Sequence, residues 1–87
     1  MATRERVKNA LRDRGFRVLD SKANFLFAES PEISGEELYL ALKAKGVLIR
    51  HFSTEKIASF NRITIGTDEE MDVLLSRIDE ILEEKRQ

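Results

Sequence analysis

Arg62-Ile63-Thr64-Ile65-Gly66-Thr67-Asp68-Glu69-Glu70-Met71 decides the fold, because a strand turns into a helix within it. Ile63 and Ile65 fall on one face of an extended chain and Arg62 and Thr64 on the other, since successive strand side chains point to opposite faces. Gly66 releases the strand. Thr67 with Glu70 is a capping-box sequence, in which a hydroxyl and a carboxylate each satisfy an orphan N–H of the first helical turn. Beyond it Met71, Leu74, Leu75, Ile78 and Leu82 recur at helical spacing and predict an amphipathic helix. Its acidic first turn (Asp68, Glu69, Glu70) and basic end (Lys85, Arg86) match the helix dipole.

Working upstream, His51 to Asn61 is too long for a tight hairpin and predicts a loop with one helical turn around Glu55 to Ala58. Val47 to Ile49 reads as a third strand, running into Arg50. Before it, Ser34 opens a second helix, with Glu37 completing another capping box, Leu38, Ala41 and Leu42 as its inner stripe and Gly46 as its stop. Asn24 to Ala28 is a strand apolar on both faces, hence interior. Phe16 to Leu19 is another, joined to it through the polar turn Asp20-Ser21-Lys22, so the two pair antiparallel. A first helix, capped by Thr3 and stopped at Gly15, shows only Val7, Ala10 and Leu11 as apolar positions among many charges between Arg4 and Arg14. So charged a helix is expected to need a partner surface beyond this chain. The order α-β-β-α-β-β-α predicts an α+β fold, a two-layer sandwich with a largely antiparallel sheet and helices packed on one face.

The 87 residues suffice for one small domain, with 41% hydrophobic content for a core and 36% charge for its surface. There is no cysteine, so no disulfide framework and no thiolate metal site, which fits a cytoplasmic location. Apolar runs are far shorter than a membrane span. A net charge of −1 weighs against nucleic acid as a partner, because that binding draws on neutralised phosphates.

One constellation suggests chemistry. If the strands ending at Arg50 and beginning at Arg62 are antiparallel neighbours, both guanidiniums gather at one end of the sheet. Each is a planar fork of five donors suited to carboxylate and phosphate oxygens. The alternative for each is a solvated strand end. Asn24 is an unusual strand opener that either bonds the adjoining turn or points into a site. His51, the sole histidine, has no second ligand for a metal and reads as an exposed imidazole. Phe52 and Phe60 bracket the long loop as core residues or pocket lining, and Tyr39 lies at a core boundary. The lysines Lys8, Lys22, Lys43, Lys45, Lys56 and Lys85 fall at solvated positions, and no phosphate loop or nucleophile–base pair is present, so the chain alone is not expected to be an enzyme.

From Phe16 to Leu82 the sequence resembles the C-terminal small domain of fold-type I aminotransferases dependent on pyridoxal phosphate, and among them the histidinol-phosphate aminotransferases. Ser21-Lys22-Ala23-Asn24-Phe25-Leu26 is similar to their S-x-A-N-F segment, Gly46 to Phe52 to their G-(I/V)-L-(V/I)-R-x-F segment, and Arg62 to Thr67 to their R-I-(T/S)-(I/V)-G-T segment. The resemblance implies that Arg62 binds a substrate carboxylate, that Arg50 helps bind a second anion such as a phosphate, and that Asn24 is a supporting polar group. It implies a parent enzyme using pyridoxal phosphate to move an amino group between histidinol phosphate and 2-oxoglutarate, with glutamate as the amino-acid partner, as a cytoplasmic homodimer in histidine biosynthesis. The large domain, with its cofactor-bearing lysine, has no counterpart in this sequence. Residues 1–87 are therefore expected to be a small-domain fragment that binds no cofactor itself. Threonine-phosphate decarboxylases share the pattern, and a stand-alone ligand-sensing module is a further alternative.

Overall fold

The computed structural model describes residues 2–20, 24–51 and 60–87. The elements are α1 (Ala2–Asp13), β1 (Arg17–Asp20), β2 (Phe25–Glu29), α2 (Gly35–Ala44), β3 (Arg50–His51), β4 (Asn61–Thr64) and α3 (Asp68–Arg86). This is the expected α+β order. The strands form one antiparallel sheet in the order β1-β2-β4-β3, with β2 interior as its two apolar faces required.

Sequence neighbours pair, β1 with β2 and β3 with β4, and the two hairpins join through β2 and β4. That junction sets Leu26 opposite Ile63 and Phe27 opposite Arg62. Leu26 and Ile63 are buried with Val18 and Ala28 against Val7 and Leu11 of α1, Leu38 and Leu42 of α2, and the apolar stripe of α3. The stripe is Met71, Leu74, Leu75, Ile78 and Leu82, as its spacing predicts, with Ile81 added. Burying such side chains stabilises the fold by about 1.5–3 kcal/mol each before chain entropy is subtracted.

Both helix stops are Gly15 and Gly46, each at a φ of 85°, where a Cβ would be strained. At the start of α3 the capping box is closed in both directions: Thr67 Oγ1 accepts from Glu70 N at 3.1 Å, and Thr67 N donates to Glu70 Oε1 at 2.9 Å. At α2 only half of the expected box forms. Ser34 Oγ accepts from Glu37 N, but the Glu37 carboxylate accepts from Lys85 Nζ on α3 instead.

Three further expectations are corrected. The third strand is Arg50–His51, not Val47–Ile49, which approaches the sheet without joining its ladder. Thr3 is not the cap of α1 but lies inside it, its hydroxyl donating to Asp68 Oδ1. The charged α1 finds its partner surface within the chain: Arg6 donates to Asp68 and Asp72, and Arg14 forms a two-pronged pair with Asp79, all on α3. The expected turn at Ser21-Lys22, the helical turn at Glu55 to Ala58, and Phe52 lie outside the described residues. Phe60 is buried and Tyr39 half-buried. No helix among the described residues is long and apolar enough to cross a membrane.

Two outcomes follow from caps and ion pairs. Thr67→Ala should cost about 1 kcal/mol in urea unfolding, the usual loss for an N-cap hydroxyl. Arg6 hydrogen bonds hold Asp68 below the ordinary carboxylate value, Arg86 does so for Glu32, and Arg77 for Glu80. Carboxyls depressed in the folded state stabilise it above their unfolded pKa of about 4, and that contribution disappears as pH falls through the lower folded values. The unfolding midpoint should therefore drop as pH falls below about 4, and substituting Arg6 and Arg86 together should flatten that drop.

Candidate functional site

The face of the sheet turned away from the buried core carries the candidate site. Alternation along β4 sends Asn61 and Ile63 inward and leaves Arg62 half-buried and Thr64 exposed. The register makes Arg50 the direct cross-strand partner of Arg62. Directly opposed residues of an antiparallel pair project to the same side, with Cβ atoms about 4.5–5.5 Å apart. The strand pairing and shared face that the sequence predicts for the two arginines are therefore present, on the same row as Phe27 of β2 and Leu19 of β1.

Arg62 is held from beneath. Its guanidinium carbon lies 4.3 Å from the centroid of the Phe25 ring, a cation–π contact that narrows the rotamers open to the side chain. Its Nε is buried and has no hydrogen-bond partner among the described residues. The contrast with the helical layer is chemical. Arg6, Arg14 and Arg86 each bond to a carboxylate of the chain, whereas among the described residues no carboxylate pairs with Arg50 or Arg62. Like charges set directly opposite each other tend to destabilise a sheet, and no carboxylate among the described residues offsets this pair.

Asn24 precedes β2, and its side chain is exposed. Its carbonyl accepts from Ile65 N at 2.7 Å, which extends the β2–β4 ladder by one step. This puts Asn24 three residues along β4 from Arg62, roughly 10 Å at strand rise, though next in sequence to the Phe25 ring that carries the guanidinium. The structure brings the two arginines together and sets Asn24 at the other end of the ladder.

Sequence reasoning missed a second polar group behind the arginines. Asn61, 1% exposed, donates through Nδ2 to Gly35 O at 3.0 Å, and its Oδ1 lies 2.9 Å from His51 Nδ1. His51 is half-buried and stacked on Tyr39, with centroids 5.8 Å apart and rings inclined at 27°. The expected exposed imidazole is thus corrected: its cross-strand neighbour and α2 enclose it. The available signal was an asparagine opening a strand, where it is a poor former.

A cleft of about 410 Å³ opens where Val47–Ile49 part from β4, lined mostly by apolar groups including Leu48, Ile63 and Val73. Neither arginine lines it, and its one carboxylate, Glu70, is engaged in the helix cap. It offers hydrophobic space and no convergent polar chemistry. No group of metal-binding side chains occurs among the described residues.

The family profile of Aminotransferase class I and II matches residues 1–78. The chain belongs to the class I and II aminotransferase family. It is 50% identical over 80 residues to a histidinol-phosphate aminotransferase of Brachyspira hyodysenteriae and 44% identical over 82 residues to one of Clostridium acetobutylicum. These matches cover 92% and 94% of this chain and 23% of each relative. The chain thus spans about a quarter of the length of the relatives it matches. Among solved structures it superposes on the histidinol-phosphate aminotransferase of Clostridium acetobutylicum with a TM-score of 0.82 at 27% identity, over 94% of this chain and 26% of that one. A putative aminotransferase of Burkholderia pseudomallei gives 0.80 at 34% identity, over 93% of this chain and 24% of that one. As an aminotransferase-family domain, the chain has the α+β architecture and strand pairing anticipated from its motifs.

The opposed arginines generate one outcome. Arg50→Thr should raise the stability of this chain by roughly 0.2–1 kcal/mol in urea unfolding by removing a like-charge cross-strand pair. A loss of stability would show that the opposition is already relieved within the chain.

Proposed function

We propose that this chain is the substrate-anion-binding small domain of a longer pyridoxal-phosphate-dependent aminotransferase, one that moves an amino group between histidinol phosphate and 2-oxoglutarate. The observation that carries this is the direct cross-strand pairing of Arg50 with Arg62, combined with the lack of a carboxylate partner for either among the described residues. The names and extent of the matched relatives support it.

In this proposal Arg62, steadied on Phe25, takes the substrate carboxylate, and Arg50 beside it contributes to binding the phosphate. Glutamate carries a carboxylate and histidinol phosphate a phosphate, so one site receives two different anions in turn. Guanidinium forks accept both, because each presents parallel N–H donors to paired oxygens. Two adjacent forks also fix the orientation of the anion, which sets the rest of the substrate relative to whatever reacts with it.

The described residues do not fit the cofactor itself. When bound in such enzymes, pyridoxal phosphate acts as the electron sink and is anchored by a lysine amine. Here Lys8 pairs with Glu5 and Lys85 with Glu37, Lys43 is exposed, and hydrogen bonding to Glu84 holds Lys45 above the ordinary lysine value. The shift at Lys45 favours its charged ammonium, the opposite of a reactive amine, and none of these lysines sits in a desolvated pocket. The proposal therefore assigns the cofactor to another part of a longer polypeptide, and to this chain only the grip on the substrate.

In the protein expressed from its full reading frame, Arg62→Ala should lower kcat/KM for histidinol phosphate by about 100-fold, because a charged partner is stranded. Arg62→Lys should recover only part, since a point charge does not replace a fork. An unchanged kcat/KM in the alanine variant would remove Arg62 from substrate binding. Release of carbon dioxide from threonine phosphate would replace the transaminase by a decarboxylase.

A further inference from the structure

β3 is only two residues long, and Val47–Ile49 before it makes no ladder with β4. Backbone pairing alone gives so short a strand a weakly specified register. A slip by one residue would turn Arg50 to the opposite face, toward α2, and present His51 to Arg62, because side-chain direction alternates at every step. Something beyond the ladder must hold Arg50 in place.

Val47 and Ile49 pack against the core on the approach to β3, and at β3 itself the buried amide of Asn61 offers a specific hold. Its Nδ2 donates to Gly35 O, so its orientation is fixed: the flipped amide would set one carbonyl oxygen against another. Oδ1 must then face His51, and only a protonated Nδ1 can donate to it across 2.9 Å. Neutral His51 is thereby the Nδ1–H tautomer with a bare Nε2. Stacking on Tyr39 clamps the ring from the side of α2. The chain of contacts runs from Gly35 through Asn61 to His51, and ends on the residue next to Arg50.

We propose that Asn61 and His51 are positioning residues of the arginine pair, pinning the register of β3 so that Arg50 stays opposite Arg62. This rests on reading that pair as an anion site. Neither residue touches the anion: both point to the other face of the sheet and act through the backbone of β3. An asparagine buried in a strand among isoleucines is costly unless each polar end is bonded. Here both ends are, one to each element that must be held in relation to the other.

The test uses the 87-residue chain with inorganic phosphate as the probe. In the unsubstituted protein, ¹⁵N spectra should show His51 protonated on Nδ1, and cross-strand contacts should appear between backbone protons of residues 50 and 62. Phosphate should move the side-chain Nε–H signals of Arg50 and Arg62 along one shared isotherm. His51→Leu strands the Asn61 oxygen; it should abolish the 50–62 contacts and weaken phosphate binding about tenfold, leaving only the Arg62 signal responsive. His51→Gln, whose amide can donate to Asn61, should stay within about threefold of the original affinity. The proposal is overturned if His51→Leu keeps both the contacts and the affinity, or if His51 proves to be the Nε2–H tautomer. If phosphate moves neither arginine in the unsubstituted chain, the anion-site reading fails by itself, and the register pin is judged on the backbone contacts. Should His51→Leu not fold, the tautomer together with His51→Gln decides.

Discussion

The central constraint on this molecule is the antiparallel seating of β4 between β2 and β3. Leu26 faces Ile63 across that seam, and both are buried under the three helices. Because side chains alternate, fixing Ile63 inward fixes Arg62 outward. The same apolar burial that drives folding thus aims the guanidinium, at no further cost in chain order. Shifting β4 by one residue would bury a charge and expose the centre of the core, so the register is specified by an energy far larger than any contact of the arginine itself.

Around that seam α3 works as the spine of the helical layer. It presents acids to the basic α1, through Arg6 with Asp68 and Asp72 and through Arg14 with Asp79. Its second half engages α2 and the residues before it, through Lys45 with Glu80 and Glu84, Lys85 with Glu37 and Arg86 with Glu32. Exposed pairs of this kind contribute little each. Their value here is orientational, since α3 offers acids to the bases of α1 and both signs of charge to Lys45, Glu37 and Glu32.

Charge pairing is uneven across the molecule. On the helical side arginines and lysines meet carboxylates of the same chain. On the other side Arg17 meets Glu29 at 3.6 Å, while Arg50 and Arg62 oppose each other across β3 and β4 with no carboxylate partner among the described residues, a like-charge opposition that tends to weaken a sheet. A local conflict with folding stability inside an otherwise consistent structure is where function is expected to lie. The polar contacts of Asn61 and His51 lie on the opposite face of the same two strands, directly behind the arginines.

Element types were legible from the sequence because each depends on local periodicity and capping: the stripe of α3, the Thr67–Glu70 box, the glycine stops and the doubly apolar β2. The Arg50–Arg62 pairing was legible too, since strands consecutive in sequence pair readily. The limits of β3 were not, because Val47–Ile49 has the composition of a strand, and only its distance from β4 decides that it makes no ladder. Nor was the destination of α1, whose charges look solvated until the acids of α3 are brought beside them. The buried amide of Asn61 and its grip on His51 were equally out of reach. In the sequence these two stand ten residues apart, and their partner Gly35 lies on another element. Local chemistry named the pieces. Which polar atoms came within bonding distance depended on how the two hairpins joined, and that was settled by the shared burial of residues far apart in the chain.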